Sequence, residues 1–165
     1  MAKRKATRVR ETRGAGRPLR LPPPAQFVVT RYIESSALVA ALLEHDERAR
    51  ASIRGDGRRV TSALTLAEVT RALIRARVAG RLTSAQERAA VGALQVFARR
   101  CDIVAVTDAV LMRVARPFPV EPIRTLDAMH LATAELLGDA PQLMTIVTRD
   151  SRVRDNARAL GYLVE

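Results

Sequence analysis

The stretch YIESSALVA, residues 32–40, breaks an apolar run with a carboxylate and two serines and then starts a second apolar run. The first run has strand length, and the second continues with helical spacing. Residues 36–53 place Leu38, Ala41, Leu42, His45, Ala49 and Ile53 on one side of a helix, the 3.6-residue pattern of an element packed on one face. Glu34 therefore sits where a strand hands over to a helix capped by Ser35 or Ser36. The same handover recurs outward from this point. FVVTRYI (27–33), RRVTSA (58–63), DIVAV (102–106) and LMTIVT (143–148) read as strands, and helices are expected over 66–79, 84–100, 108–115, 126–137 and 151–160. Short strands alternating with helices predict an α/β fold with a parallel sheet covered on both faces. The glycines at 55 and 57 read as a turn.

Composition narrows the function classes. A chain of 165 residues with 48% hydrophobic and 27% charged residues is globular in character and long enough for one real core. The single cysteine, Cys101, excludes an internal disulfide and makes a reducing cytosol the default compartment. The longest apolar run, ALVAALL at 37–43, is far short of the ~20 residues of a membrane helix. Of the net charge of +11, residues 1–28 carry +7, from eight Lys and Arg against one acid, Glu11. This segment lacks apolar periodicity and ends in prolines. It is expected to be a disordered basic tail preceding a domain over 29–165, either a nucleic-acid-attracting arm or a solvated leader.

In a parallel α/β sheet, ligands gather beyond the carboxyl ends of the strands, beside the helix N-termini that follow. Four acids are expected there: Glu34 after the first strand, Glu68 in the first turn of the next helix, Asp127 in the first turn of RTLDAMHLATAELL, and Asp150 at the end of TIVTRD. Each has an ordinary alternative. Thr65-Leu-Ala-Glu68 matches a capping box, as does Ser84-Ala-Gln-Glu87; Asp127 suits a helix N-terminus, and Asp150 can cap the last helix. Together they raise one another's pKa, a cost that a divalent cation removes. Hard oxygen donors suit Mg²⁺ or Mn²⁺, which can clamp a phosphate and activate water.

These segments carry a resemblance. YIESSALVA, TSALTLAEVTRAL (61–73), RTLDAMHLATA (124–134) and IVTRDSRVRDNARALG (146–161) resemble, in order and spacing, the signature segments of the PIN-domain family, and in particular its VapC-type toxins. The likeness spans about residues 29–165. It implies an α/β/α sandwich and a metal-dependent endoribonuclease, with Mg²⁺ or Mn²⁺ held by acids matching Glu34, Glu68, Asp127 and Asp150. It also implies a small antitoxin partner and a homodimer. The sequence departs from the pattern at Glu34, where the family generally has aspartate. One extra methylene displaces a carboxylate by roughly 1.5 Å, against a cation that takes its ligands at about 2.0–2.1 Å. A catalytically weakened module that binds RNA or a protein partner through the same fold is the alternative function.

The remaining polar residues are read as follows. His130 is expected to be a hydrogen-bonded structural histidine beside Met129 and Thr133, and His45 a structural residue on its helical stripe; two histidines and one cysteine give no zinc spacing. Ser36 and Thr148 can hold a metal-bound water or a phosphate, or simply cap. Arg71 and Arg75 share the helical face of Glu68 and can hold RNA phosphates. Three Phe, two Tyr and no Trp leave few platforms for stacking bases, so RNA binding would rest on backbone charge.

Overall fold

The computed structural model describes residues 29–165; the expected basic tail lies outside them. Five strands are present among these residues: β1 (Thr30–Ile33), β2 (Arg58–Ser62), β3 (Asp102–Val104), β4 (Met144–Val147) and β5 (Leu163–Val164). Seven α-helices connect them: α1 (Ser35–Leu43), α2 (Glu47–Arg54), α3 (Ala63–Val78), α4 (Ser84–Ala98), α5 (Asp108–Val114), α6 (Thr125–Leu136) and α7 (Ser151–Ala159). All strand pairs are parallel, in the order β3-β2-β1-β4-β5. The chain thus leaves β1 toward β2 and β3 on one side and resumes at β4 on the other. β1 and β4 flank the point where strand order reverses, the usual place for a ligand in an open parallel sheet.

Alternation along the central strands splits the core into two layers. Tyr32, Val60, Met144 and Ile146 face a layer closed by Val110 of α5, Ala128 and Leu131 of α6 and Val153 and Ala157 of α7. Ile33 and Val147 face the other layer, closed by Leu38 of α1, Ile53 of α2, Val69 and Leu73 of α3 and Leu94 of α4. Burial of each large aliphatic side chain contributes about 1.5–3 kcal/mol. The arrangement has the central parallel sheet covered on both faces that the alternating pattern implies, and is the α/β/α sandwich that the resemblance implies. Among the described residues, no helix is long and apolar enough to cross a membrane.

Several local expectations are corrected. The single helix expected over 36–53 is two helices. Asp46 caps α2, accepting from the N–H groups of Arg48 and Ala49 at 2.8 and 3.0 Å, and His45 sits in the connector with φ 54° rather than on a helical stripe. His45 instead lies 2.9 Å from the Arg50 guanidinium. Glu34, not Ser35 or Ser36, caps α1. Ser62 starts α3 at Ala63, so Glu68 falls in the second turn, and the Thr65–Glu68 capping box does not form. The capping box of α4 uses Thr83 and Gln86 rather than Ser84 and Glu87. The two-residue strand β5 was not expected, because a pair of apolar residues has no readable period. The turn between α2 and β2 is as expected. Gly57 holds φ 124° there, and a Cβ at that position would meet the Val29 carbonyl oxygen at 2.3 Å.

Candidate metal centre

The carboxyl edge of β1 and β4 is tied together by two hydroxyls. Ser36 Oγ accepts from the backbone N–H of Arg149 at 2.7 Å and of Asp150 at 3.0 Å. Thr148 Oγ1 accepts from the Asp150 N–H at 3.0 Å. Both hydroxyls then donate to the Glu34 carboxylate: Thr148 to Oε2 at 2.9 Å and Ser36 through a short contact to the same oxygen. Ser35 Oγ donates to Oε1 at 2.6 Å, and the Ser36 N–H is shared between both oxygens at 3.0 Å. Glu34 is 3% exposed. Its extra methylene lets the side chain fold back over the first turn of α1, where four donors satisfy it.

Glu68 approaches the same place from α3, and His130 from α6. His130 is 1% exposed; its Nε2 lies 2.7 Å from Glu68 Oε2 and 3.7 Å from Glu34 Oε1, and its Nδ1 lies 3.1 Å from the Tyr32 hydroxyl. An ionised carboxylate only accepts, so Nε2 carries a proton and donates to Glu68, while Nδ1 and the Tyr32 hydroxyl are hydrogen-bonded to each other. Burial pushes the Tyr32 phenol well up, which keeps it a neutral hydroxyl. Burial also pushes the Glu68 carboxyl up, but the hydrogen bond and charge of His130, with help from Ser35 and Arg75, hold it below the usual carboxylate range. One ligand atom from each of Glu34, Glu68 and His130 lies within 4.8 Å of the others.

Asp127 is in the opposite condition. It stands in the first turn of α6, yet makes no cap there, and its Oδ2 is buried with no hydrogen-bond partner among the described residues. Burial raises its pKa first, then repulsion from Asp150 and Glu34, only partly offset by Arg124 and His130. Asp150 caps α7, its Oδ1 accepting from the N–H groups of Arg152 and Val153 at 2.7 and 3.2 Å. All four expected acids are therefore at this edge. Glu34 and Glu68 meet through His130, whereas Asp127 and Asp150 stand outside that close group, Asp127 feeling the charges of Glu34 and Asp150.

A buried, unpartnered carboxylate oxygen near Glu34 and Asp150, only partly offset by Arg124 and His130, offers the kind of hard oxygen donor that a divalent cation takes. The residues present fit that group. Arg71 and Arg75 line a neighbouring cavity of about 270 Å³ together with Glu68, Ala67 and Leu126. His130 is hydrogen-bonded and buried, in keeping with a structural role, but its acceptor is a site carboxylate. The sequence signal was its position three residues after Asp127, on the same helical face. Tyr32 and Ser35 carried no comparable signal.

Residues 31–159 match the PIN domain family model. The chain is 36% identical over 137 residues to Ribonuclease VapC35 of Mycobacterium tuberculosis, covering 81% of this chain and 93% of that one. It is 38% identical over 139 residues to Ribonuclease VapC46 of the same organism, covering 81% and 94%. Among solved structures, VapBC2 from Rickettsia felis, bound to a DNA fragment from its promoter, aligns with a TM-score of 0.57 over 82% of this chain and 97% of that one. The sequences there are 14% identical, so that likeness bears on the fold. With a family match over most of its length and relatives above a third identical, the chain belongs to the PIN-domain family and resembles its VapC-type members.

Proposed function

We propose that this protein is a Mg²⁺- or Mn²⁺-dependent endoribonuclease toxin of a cytoplasmic toxin–antitoxin pair, with Glu34, Glu68, Asp127 and Asp150 as the cation's ligands. The observation that carries the reading is the buried, unpartnered Oδ2 of Asp127 beside the charges of Glu34 and Asp150. Such an arrangement is costly in the protein alone and is relieved by a bound cation. A divalent ion there would supply Lewis-acid polarisation of a phosphoryl oxygen and a source of hydroxide at neutral pH.

The chain's own residues prepare that chemistry. His130 keeps Glu68 ionised and fixed in rotamer, and Tyr32 holds the orientation of the His130 ring. Ser36 and Thr148 hold Glu34 against the N-terminus of α1 and bind the β4–α7 loop to it, so Asp150 is placed relative to Glu34. Arg71 and Arg75 stand beside Glu68, where they can neutralise phosphates flanking the scissile one. The similarity to named VapC ribonucleases supports RNA as substrate. An antitoxin partner and a homodimer follow from the family resemblance.

The test is incubation of purified protein with single-stranded and structured RNA, with Mn²⁺ and with EDTA. Cleavage that requires the cation and is lost in Glu68→Gln is the expected outcome. One observation favours the second reading, a weakened module that binds RNA or a protein partner without cutting. The Glu34 carboxylate is already saturated by donors from Ser35, Ser36 and Thr148. RNA binding with no cleavage in either condition would select that reading.

A further inference from the structure

A second charged feature lies toward the amino end of the sheet, away from the carboxylates. Arg59 is in register with Arg31 of the neighbouring strand, so the two guanidinium side chains leave the same face of strands about 4.8 Å apart. Arg31 is well compensated: it donates to the Ser52 carbonyl at 3.0 and 2.7 Å and to Glu165 at 2.5 Å. Arg59 is not. Its Nε is buried with no acceptor, and the side chain makes no ion pair among the described residues. Asp102, paired in register with the adjacent Val60, is taken by Arg58 at 2.7 Å. The Cys101 thiol supplies no charge either, since burial pushes it up to about 11 despite the pull of Arg59.

Arg59 opens on a cavity of about 300 Å³ with Arg54 and Arg100 around it and Ile53, Val96 and Phe97 as apolar walls. Among the described residues no acid lines it; Asp56, in the turn between α2 and β2, stands outside it. Arg54 closes α2 and Arg100 lies two residues beyond the end of α4, near helix carbonyls that favour a cation. That accounts for their placement but leaves the buried Nε of Arg59 unanswered. A missing acceptor beside the buried Nε of this half-buried arginine is costly, and a bound anion would remove the cost.

We propose that this pocket binds a phosphoryl group, separately from the carboxylate centre. Three guanidiniums offer more N–H donors than the two oxygens of one carboxylate can take. A phosphate offers three or four acceptor oxygens and up to two charges, matching several planar forks at once. The apolar wall of Val96 and Phe97 leaves room for a ribose or base beside the phosphate. The phosphoryl group can therefore come from inorganic phosphate, a mononucleotide or an RNA backbone.

The test is titration of the full chain with inorganic phosphate and with a mononucleotide at constant ionic strength in EDTA, by calorimetry and ³¹P line broadening. Melting temperature alone does not suffice, because phosphate also stabilises proteins by exclusion from their surface. Saturable binding with a Kd below about 1 mM, weakened at least tenfold in Arg59→Met, is expected. The exposed pair Arg54→Ala with Arg100→Ala gives the same loss if Arg59→Met fails to fold. Displacement of bound phosphate by a short RNA assigns the pocket to a backbone phosphate, and absence of displacement assigns it to the free anion; both support the proposal. Non-saturable signals, equal binding in the variants, or binding of a glutamate-rich peptide but neither phosphate nor mononucleotide would overturn it. None of these outcomes depends on whether the carboxylate centre cleaves RNA.

Discussion

Glu34 and Asp127, two carboxylates at the same edge of the sheet, are treated in opposite ways by the fold. Glu34 follows β1 at the switch point and has both oxygens occupied, by a helix N-terminus and three hydroxyls. Asp127 sits at a helix start that would welcome a cap, yet leaves an oxygen buried and unpartnered while repelled by its neighbours. The first carboxylate supports the structure around it; the second carries a cost that nothing in the fold removes. In the proposed reading, the contrast separates an acid already held by the fold from one that the cation would relieve.

The sharpest way to break this contrast is Asp127→Asn. Loss of RNA cleavage by more than 100-fold is expected, beyond the 10–100-fold typical of residues that only support a metal ligand. The same change should raise the melting temperature of the metal-free protein. The sign follows from the raised pKa: folded Asp127 holds its proton more tightly than the unfolded chain does. The stability it contributes is complete below the unfolded pKa and is lost as pH rises through the higher folded one. Thermal melts in EDTA should therefore show the gap between Asp127→Asn and wild type widening from acid pH toward neutrality. A gap independent of pH would remove the repulsion argument.

Next in size is His130→Gln. Losing the imidazole that holds Glu68 should cost 10–100-fold in Mn²⁺ affinity, read by calorimetry, and return the Glu68 titration toward the ordinary carboxylate range. A fall in stability with unchanged Mn²⁺ affinity would make His130 purely a core residue.

How much of this was legible in the sequence differs between the two acids. The alternation of FVVTRYI, RRVTSA and LMTIVT with helical stripes was enough for the layered α/β fold, because strand and helix periods differ and each run was long enough to show one. The four acids were legible as residues at strand ends and helix starts. Their division of labour was not, because nothing in YIESSALVA distinguishes a glutamate that reaches forward to a ligand from one that folds back onto Ser36. Helix starts were misread for a related reason. Ser62 and Thr65, and Thr83 and Ser84, are all acceptable caps, and the choice is made by where the sheet releases the chain. His130 was read as a packing residue because its partner, Glu68, is 62 positions away.

Glu34 variants refine the comparison further. Glu34→Gln keeps one acceptor of two and should lower stability by about 1 kcal/mol, the typical worth of a helix cap, in urea unfolding with EDTA. Glu34→Asp should preserve or raise RNA cleavage. Equal cleavage by wild type and Glu34→Gln would assign Glu34 to the cap alone. Smallest is Arg75→Ala, which should weaken RNA binding a few-fold and reduce its salt dependence by about one phosphate contact, in binding titrations at two salt concentrations.

The most direct measurement of the central claim is calorimetric titration of Mn²⁺ into the protein and into Asp127→Asn, each shown to be folded. Saturable binding in the wild type that is lost in the variant is the predicted result. Equal binding by both, or none by either, would contradict a cation centre built on the acid that the fold leaves unsatisfied.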